Sequence, residues 1–183
     1  MDLGILRFLN QFAGQSKWLD QLGSFIAVYA IGLLAFLVIL LWFLDESVQR
    51  KKNQYAIVLA VESVILAFGG FTLLIRSLWP RLAPFVTNNI KLLIEQNPLT
   101  PSFPSGHTVI AFALALPVLI YNRKAGIWLF VLAILIGASR VFVGAHYPSD
   151  ILGGFAVALI VVLFLNFFRK WLVAPVVRWL RNE

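Results

Sequence analysis

The sequence has 183 residues, of which 61% are hydrophobic and 13% charged, with a formal net charge of +7 and no cysteine. Soluble domains average about 45–50% apolar and about 25% charged residues, so this composition indicates one compact domain that has a lipid bilayer as its solvent. The absence of cysteine excludes disulfides, thiol catalysis and iron–sulfur clusters. The basic residues stand mainly at the ends of apolar runs, which is typical of membrane topology and anionic headgroups rather than of nucleic-acid binding.

The first predicted element is a short amphipathic segment from Leu3 to Phe12, which is too short to cross a bilayer and is typical of an interfacial helix. No charged region followed by a cleavage site precedes it, so we expect no removable signal peptide. Five later stretches are apolar over about the 20 residues that a spanning helix needs. Their predicted ranges are Leu22 to Leu44, Tyr55 to Ile75, Ser105 to Tyr121, Gly126 to Val143 and Asp150 to Phe168.

These elements predict an all-α membrane bundle of five full transmembrane helices plus a short N-terminal interfacial helix, in a single domain over residues 1–183. Residues 1–20 are assigned to the interfacial helix and a turn, and residues 169–183 to a cytoplasmic tail. Residues 76–103 form the single long connection, rich in proline, and long loops are often binding or lid elements.

The distribution of basic residues predicts the orientation of the bundle. If the five spans alternate, nine basic residues fall on one side and six on the other, and the positive-inside rule assigns the nine to the cytoplasm. The nine are Arg50, Lys51, Lys52, Arg123, Lys124, Arg169, Lys170, Arg178 and Arg181; the six are Arg7, Lys17, Arg76, Arg81, Lys91 and Arg140. The long loop and the turn around His146 are therefore expected to face outward.

Both histidines of the chain stand where a predicted span meets the outer surface. The first belongs to the run Pro104-Ser105-Gly106-His107, which begins the third span. The start of a helix has free backbone N–H groups and a dipole that favours an anion. Gly106 would let a phosphate oxygen approach the backbone, and Ser105 would add a hydroxyl or cap the helix.

The second histidine lies in the pattern Ser139-Arg140, five residues, His146, three residues, Asp150. Arg140 offers a planar fork for two oxygens of one phosphate. Asp150 is four residues from His146 and can accept a hydrogen bond from one imidazole nitrogen, which would leave the other nitrogen as a nucleophile. His107 would then protonate the departing oxygen.

Two other interpretations of these residues are open. Each histidine could be an ordinary interfacial residue, Ser105 a plain helix cap and Arg140 a snorkelling side chain. Two histidines and Asp150 could also ligate zinc, although a fixed cation such as Arg140 beside a dication is unfavourable. Glu62, inside the second span, is interpreted as structural rather than catalytic because it is predicted on the far side from the histidines.

The two histidine clusters resemble the second and third signature motifs of the type 2 phosphatidic acid phosphatase (PAP2) family, and the resemblance extends from about Tyr55 to Phe168. It implies that His146 forms a phosphohistidine, that Asp150 orients it and that His107 is the acid. The residues implied to bind the phosphoryl oxygens are Arg140, Ser105 and the Gly106 amide. Family members work without a metal, so the resemblance implies no metal and no cofactor.

The first family motif, a lysine, six residues and then Arg-Pro, is altered in this chain. Alignment on Pro84 puts Arg76 at the lysine position and Ala83 at the arginine position, with Arg81 two residues earlier. We expect Arg76 and Arg81 together to supply the missing positive charge at the phosphate. The alternative is that Arg81 is an interfacial anchor and the site has one cation fewer.

Chain size and layout are also similar to those of the small bacterial undecaprenyl-diphosphate phosphatases linked to bacitracin resistance. This implies hydrolysis of undecaprenyl diphosphate to undecaprenyl phosphate at the outer side of a bacterial cytoplasmic membrane. The alternatives are a phosphatase for phosphatidylglycerophosphate or phosphatidate, a lipid phosphotransferase, a non-catalytic lipid binder or scramblase, and a small transporter or channel. The expected partners are a lipid phosphate and the bilayer, without nucleic acid, and the oligomeric state is left open.

Overall fold

The computed structural model describes residues 2–44 and 48–180, and all regular secondary structure in these residues is helical. A π-helical segment, Ile65–Thr72, joins α3 to α4 without a break, so that the two form one long helix. The other connections are short, apart from the segment between α4 and α6. The helices are α1 Asp2–Asn10, α2 Lys17–Leu40, α3 Val48–Val64, α4 Leu73–Leu78, α5 Pro84–Thr87, α6 Gly106–Tyr121, α7 Arg123–Phe142, α8 Pro148–Phe167 and α9 Val173–Leu180.

Four helices of the described chain are long and apolar enough to cross a membrane: α2, the continuous helix Val48–Leu78, α7 and α8. The fifth predicted span corresponds to α6, which has 16 residues. A helix of that length rises about 24 Å, less than the roughly 30 Å of a hydrocarbon core. The prediction of a helical membrane bundle is thus confirmed. The helix count differs slightly, because α6 matches the predicted third span to within one residue but is too short to count as a full transmembrane helix.

Helix α6 forms the centre of the bundle and packs against α2, α3, α7 and α8. Ala111, Ala113 and Ala115 are fully buried, and such small residues allow neighbouring helices to approach closely. Protein surrounds most of α6, and the chain just before it is covered as well, since Ser102 and Ser105 are fully buried. Irregular backbone at membrane depth is tolerated where protein or a cavity covers it.

The N-terminal segment forms the nine-residue helix α1, as the amphipathic pattern predicts, although it ends at Asn10 rather than Phe12. Leu6 is fully buried and packs with Val141 and Tyr147, so α1 lies against the ends of α7 and α8 where these two helices meet. Phe8, on the other face, is exposed and available to lipid.

The long connection predicted over residues 76–103 is largely irregular, but its first three residues belong to α4 and α5 lies within it. It is fastened to the end of the bundle. The Leu93 N–H donates to the Val143 carbonyl over 3.1 Å. The Asn10 side chain donates to the Lys91 carbonyl over 2.9 Å and accepts from the Lys91 N–H over 3.0 Å.

At the other end of the chain, the predicted tail contains α9, whose Val173 and Val177 are buried against Val58 and Leu59 of α3. Arg181 and the side chain of Arg178, two of the nine basic residues used for the topology, lie outside the described residues.

Glu62 lies in α3, within the membrane-spanning part of the long helix. One of its carboxylate oxygens is buried and finds no hydrogen-bond partner within residues 2–44 and 48–180. It does not line the cavity described below.

Candidate active site

The functional residues collect at the end of the bundle where α4 ends, α6 begins and α7 turns into α8. A cavity of about 500 Å³ opens there between these helices, α2 and the long connection. Both histidines and two arginines, Arg76 and Arg140, line it. The remaining lining residues are Val28, Ile31, Phe68, Ile94, Glu95, Gln96, Thr100, Gly106 and Ile110.

His146 is held in the tight turn between α7 and α8. The backbone N–H groups of Ala145 and His146 both donate to the Arg140 carbonyl, over 3.0 and 3.3 Å. Gly144 has a φ of 80°, which favours glycine, and a Cβ atom there would lie 2.5 Å from the Lys91 carbonyl oxygen. The turn therefore leaves His146 nearly buried, with 3% exposure, at the edge of the cavity.

The contact between His146 and Asp150 differs from the predicted direct hydrogen bond. The distance from His146 Nδ1 to Asp150 Oδ2 is 3.6 Å, which is too long for a good hydrogen bond. The hydroxyl of Ser102 lies between them: its Oγ is 3.2 Å from His146 Nδ1 and donates to Asp150 Oδ2 over 2.5 Å. Ser102 therefore bridges the two residues.

This bridge determines which imidazole nitrogen carries the proton. The hydroxyl of Ser102 has one proton, and the carboxylate of Asp150 takes it. The hydroxyl can then only accept from His146 Nδ1, which must be protonated. That tautomer leaves the lone pair of Nε2 unprotonated, as a nucleophile requires.

The surroundings also keep His146 neutral. Burial lowers the pKa of His146, Asp150 opposes this by favouring the charged ring, and Arg140 lowers the pKa further. The net effect is a pKa below the ordinary value of 6.5, so the imidazole is neutral at pH 7.

Asp150 is held in place by the start of α8. Its Oδ2 accepts the backbone N–H of Tyr147 over 2.9 Å, and its carbonyl accepts the N–H of Ser105 over 3.0 Å. The second of these bonds joins the beginning of α6 to the beginning of α8. The two histidine motifs are thus connected directly through the backbone.

His107 is the second residue of α6 and lines the same cavity as His146. The first N–H of α6 that bonds back into the helix is that of Val109, to the Ser105 carbonyl, so the earlier N–H groups have no intrahelical acceptor. Gly106 makes room at this point, because a Cβ atom there would lie 2.8 Å from the Phe68 ring and 3.3 Å from Arg76.

Arg140 and Arg76 bring two positive charges into the cavity. Arg140 donates to the Ala27 carbonyl over 3.2 Å and to Gln96 Oε1 over 2.8 Å, and Arg76 donates to the Pro104 carbonyl over 2.9 Å. Among the described residues, neither guanidinium forms a salt bridge, and the buried Nε of each has no hydrogen-bond partner. Arg140 is buried and Arg76 is half-buried, and cations withdrawn from water without a carboxylate partner are unfavourable unless an anion joins them.

Arg81 does not occupy the predicted position beside a phosphate, since it does not line the cavity. It lies behind Asp150, where its Nη1 donates to Asp150 Oδ1 and its Nη2 to Asp2 Oδ2, each over 2.8 Å. Two carboxylates already pair with this guanidinium, so of the two arginines expected at the phosphate only Arg76 lines the cavity.

Ser105 is likewise turned away from the cavity. It is the N-cap residue of α6 but makes no side-chain cap bond, and its hydroxyl accepts from Thr108 Oγ1 over 3.0 Å. Ser105 is not among the residues that line the cavity, and its contact with a phosphoryl oxygen stays a prediction. Ser105 instead contributes its backbone to the junction with Asp150.

Other residues of the site were missed from sequence. Ser102 stands only two residues before Pro104, yet nothing in the sequence connects it to residues 44 and 48 positions later. Glu95 and Gln96 lie in the middle of the irregular connection, where no motif marks them. Within residues 2–44 and 48–180, no three metal-ligating side chains lie close enough together to hold a metal ion.

Comparison with known proteins agrees with this geometry. Residues 54–173 match the model of the PAP2 superfamily. The chain is 32% identical to undecaprenyl-diphosphatase BcrC of Bacillus subtilis (strain 168), over 91% of this chain and 84% of that protein. It is also 32% identical to putative undecaprenyl-diphosphatase YbjG of Escherichia coli (strain K12), over 87% and 78% of the two chains.

Among solved structures, LpxE of Aquifex aeolicus superimposes with a TM-score of 0.68 at 23% identity, covering 89% of this chain and 93% of that one. This similarity concerns the fold. Together with the matched family model and the relatives above, it leads to one conclusion: the chain belongs to the PAP2 superfamily and is a membrane-embedded phosphatase.

Proposed function

We propose that this protein hydrolyses undecaprenyl diphosphate to undecaprenyl phosphate and inorganic phosphate, through a phosphohistidine on His146. One observation carries the proposal: two imidazoles and two guanidinium groups without carboxylate partners line a single cavity. A terminal phosphate placed there would satisfy Arg140 and Arg76 and would meet the unprotonated Nε2 of His146.

The reaction proceeds in two displacements. In the first, His146 Nε2 attacks the terminal phosphorus and the bond from phosphorus to the bridging oxygen breaks. His107, which takes up a proton when the phosphate anion binds beside it, gives that proton to the bridging oxygen. In the second, His107, now neutral, takes a proton from water as the water oxygen attacks the same phosphorus, the electron pair of the P–N bond returns to Nε2, and inorganic phosphate leaves. Arg140, Arg76 and the first N–H groups of α6 neutralise the charge on the phosphoryl oxygens in both steps.

The cavity also suits a lipid. Val28 and Ile31 of α2 and Ile110 of α6 line it, and Ile110 is about one helical turn deeper than His107. A bound lipid would have its phosphates among the cations and the first part of its tail along these apolar side chains. The distribution of basic residues supports an orientation with this end outside, at the outer face of a bacterial cytoplasmic membrane.

The choice of undecaprenyl diphosphate rests on the relatives, because undecaprenyl-diphosphatase BcrC and putative undecaprenyl-diphosphatase YbjG align over most of this chain. The cavity alone is compatible with other lipid phosphates.

Phosphate release from detergent-dispersed lipids tests the proposal. The panel contains undecaprenyl diphosphate, phosphatidylglycerophosphate, phosphatidate and diacylglycerol diphosphate, each assayed with and without EDTA. We expect the highest kcat/KM with undecaprenyl diphosphate, and no loss in EDTA. Transfer of phosphate to an added lipid without release of inorganic phosphate would instead identify a phosphotransferase, and inactivity on the whole panel would favour a lipid binder.

Ser102 gives the first mutational prediction. Ser102→Ala removes the bridge between His146 and Asp150, and a hydrogen bond to a charged group contributes about 1.5–3 kcal/mol, so kcat should fall about 10- to 150-fold. Because Ser102 is not among the residues that line the cavity, KM should change little. Steady-state kinetics on the preferred lipid measure both constants.

Ser63→Ala is the matched control, since Ser63 is also fully buried but lies in α3 away from the cavity. Ser102→Thr keeps the hydroxyl and should recover part of the lost kcat. Equal activity of Ser102→Ala and Ser63→Ala would remove Ser102 from the mechanism.

A further inference from the structure

We propose that Arg81 and Asp2 act as positioning residues that hold Asp150 behind the nucleophile, so that the interfacial helix α1 is part of the catalytic apparatus. The inference rests on the proposed function, since it assumes that His146 is the nucleophile. It assigns Arg81 to the catalytic carboxylate rather than to the substrate, in contrast to the expectation from the sequence.

The contacts of Arg81 give the first argument. Its guanidinium joins two carboxylates from opposite ends of the chain: Nη1 donates to Asp150 Oδ1 and Nη2 to Asp2 Oδ2, each over 2.8 Å. Asp150 is completely buried, whereas Asp2 and Arg81 are partly exposed. Asp150 Oδ1 faces Arg81 and Oδ2 faces Ser102, so each oxygen of the catalytic carboxylate has its own positioning partner.

The second argument is that Arg81 has little freedom to leave this position. Its guanidinium carbon lies 3.9 Å from the centre of the Tyr147 ring, at a cation–π distance, and Nη1 also donates to Ser149 Oγ over 2.6 Å. Its backbone carbonyl accepts the Ser102 N–H over 2.7 Å. Arg81 thus fixes both the carboxylate and the loop that carries the bridging hydroxyl.

Asp2 is anchored to the same turn. Its Oδ1 accepts the Ser149 N–H over 2.9 Å and its Oδ2 accepts the Ser149 hydroxyl over 2.5 Å, at the first turn of α8, where an anion is favoured. Burial raises the pKa of Asp2, but the bonds from Ser149 and Arg81 outweigh it and lower the pKa below its ordinary value. Asp2 is therefore a carboxylate at neutral pH and can hold the outer nitrogen of Arg81.

Helix α1 does not depend on this contact to stay in place. At its other end the buried Asn10 side chain donates to the Phe142 carbonyl over 2.9 Å and bonds to the backbone of Lys91. In the middle of the helix, Leu6 is fully buried and packs with Val141 and Tyr147. The helix is thus a fixed support on which Asp2 is mounted. Loss of the Asp2 contact should release Arg81 without unfolding α1.

The charge of Arg81 also has a measurable consequence for His146. Arg81 partly compensates the negative charge of Asp150, and that charge favours protonated His146. Replacing Arg81 by a neutral residue leaves Asp150 uncompensated, so the pKa of His146 should rise and the acid limb of kcat/KM should move to higher pH. The other charged or titratable groups at His146 are unchanged by the substitution: His107 of α6, Arg140 of α7, Arg76 of α4 and Glu95 of the long connection.

The test is a comparison of Arg81→Gln with wild type for phosphate release over a range of pH. A positioning role predicts a kcat about 10-fold or more lower and a KM within about twofold of wild type, because a charge-assisted hydrogen bond is lost away from the substrate. It also predicts that the acid limb of kcat/KM shifts to higher pH, because the charge of Asp150 is no longer compensated. A phosphate-binding role predicts instead a large rise in KM with an unshifted limb, and this result would overturn the inference.

Two further variants complete the design. Asp2→Asn should lower kcat less than Arg81→Gln, and adding it to Arg81→Gln should cause no additional loss, because both act through one contact. Arg7→Gln is the matched control, an exposed arginine of the same helix α1, and should behave as wild type. Fully additive losses, or losses that follow a lower thermal unfolding midpoint without a shift in pH, would contradict the proposal.

The design separates failure of this inference from failure of the proposed function. If wild-type protein releases no phosphate from any lipid of the panel, the function is wrong. If wild type is active and His146→Ala is inactive while Arg81→Gln keeps its kcat and pH profile, the function stands and the positioning role is wrong.

Discussion

His146→Ala should release no measurable phosphate from the preferred lipid, a loss on the order of 10⁴-fold or more, since removing a covalent nucleophile in another hydrolase costs about 10⁶-fold. The reason is chemical: no other imidazole of this chain is fixed by a carboxylate through a hydroxyl bridge, and His107 is the remaining histidine. The fold should survive, because His146 lies in a turn that backbone bonds and Gly144 maintain.

Trapping the intermediate gives the sharper measurement. A phosphoramidate bond is stable in alkali and labile in acid, so wild-type protein quenched in alkali after brief exposure to radiolabelled substrate should retain label on one histidine. His146→Ala should retain none, while His107→Ala should still accept label slowly. Labelling of the His146→Ala variant, or turnover in wild type without any labelled protein at early times, would rule out the phosphohistidine on His146.

The membrane architecture could be predicted from sequence because the bilayer imposes a simple rule. A helix in lipid must form all of its backbone hydrogen bonds internally and present apolar side chains over the thickness of the hydrocarbon core. Helices α2, α7 and α8 are long and apolar enough to be recognised by this rule. Helix α6 departs from it, since protein covers α6 on several sides and a shorter helix suffices. The sequence nevertheless predicts the range of α6 to within one residue. It misses the starts of α2 and of the helix Val48–Leu78, where polar residues continue the helix beyond the apolar run.

The residues of the site also fall into those that could be predicted from sequence and those that could not. His107, Arg140 and His146 could be predicted because each stands at a helix end, where a polar residue in an apolar chain has few structural reasons to be. Ser102 and Asp2 could not be predicted, because each is placed at the site by contacts with residues that are distant in sequence. Ser102 contacts Asp150, 48 residues later, and Asp2 contacts Ser149, 147 residues later.

Arg81 shows more clearly why the contacts of a charged residue could not be predicted from sequence. The family pattern has an arginine at the position of Ala83, and the sequence predicts that the nearby Arg81 takes over its role. In the folded chain the two terminal nitrogens of the Arg81 guanidinium are paired with the carboxylates of Asp2 and Asp150. A count of charges near a motif cannot reveal which charge is already paired.

His107→Ala should show a loss that depends on the leaving group. Where the lipid is a monoester, the departing oxygen becomes an alkoxide, and loss of the acid should slow phosphoenzyme formation about 10²- to 10⁴-fold. Where it is a diphosphate, the departing group is a lipid phosphate whose second pKa is near 6, so it leaves as a stable anion with less need of a proton. The same substitution should therefore harm phosphatidate hydrolysis far more than undecaprenyl diphosphate hydrolysis.

Single-turnover rates on the two lipids, each relative to wild type, measure this difference. His107→Gln is a useful companion because it keeps a polar side chain of similar size at the cavity wall but cannot give up a proton. Equal losses on both lipids would mean that His107 binds the phosphoryl group rather than protonating the leaving oxygen. His107, in the first turn of α6, and His146, in the α7–α8 turn, line the same cavity. We expect such a chain to cleave both the monoester and the diphosphate bond, and the loss caused by His107→Ala on each lipid shows which bond needs the acid less.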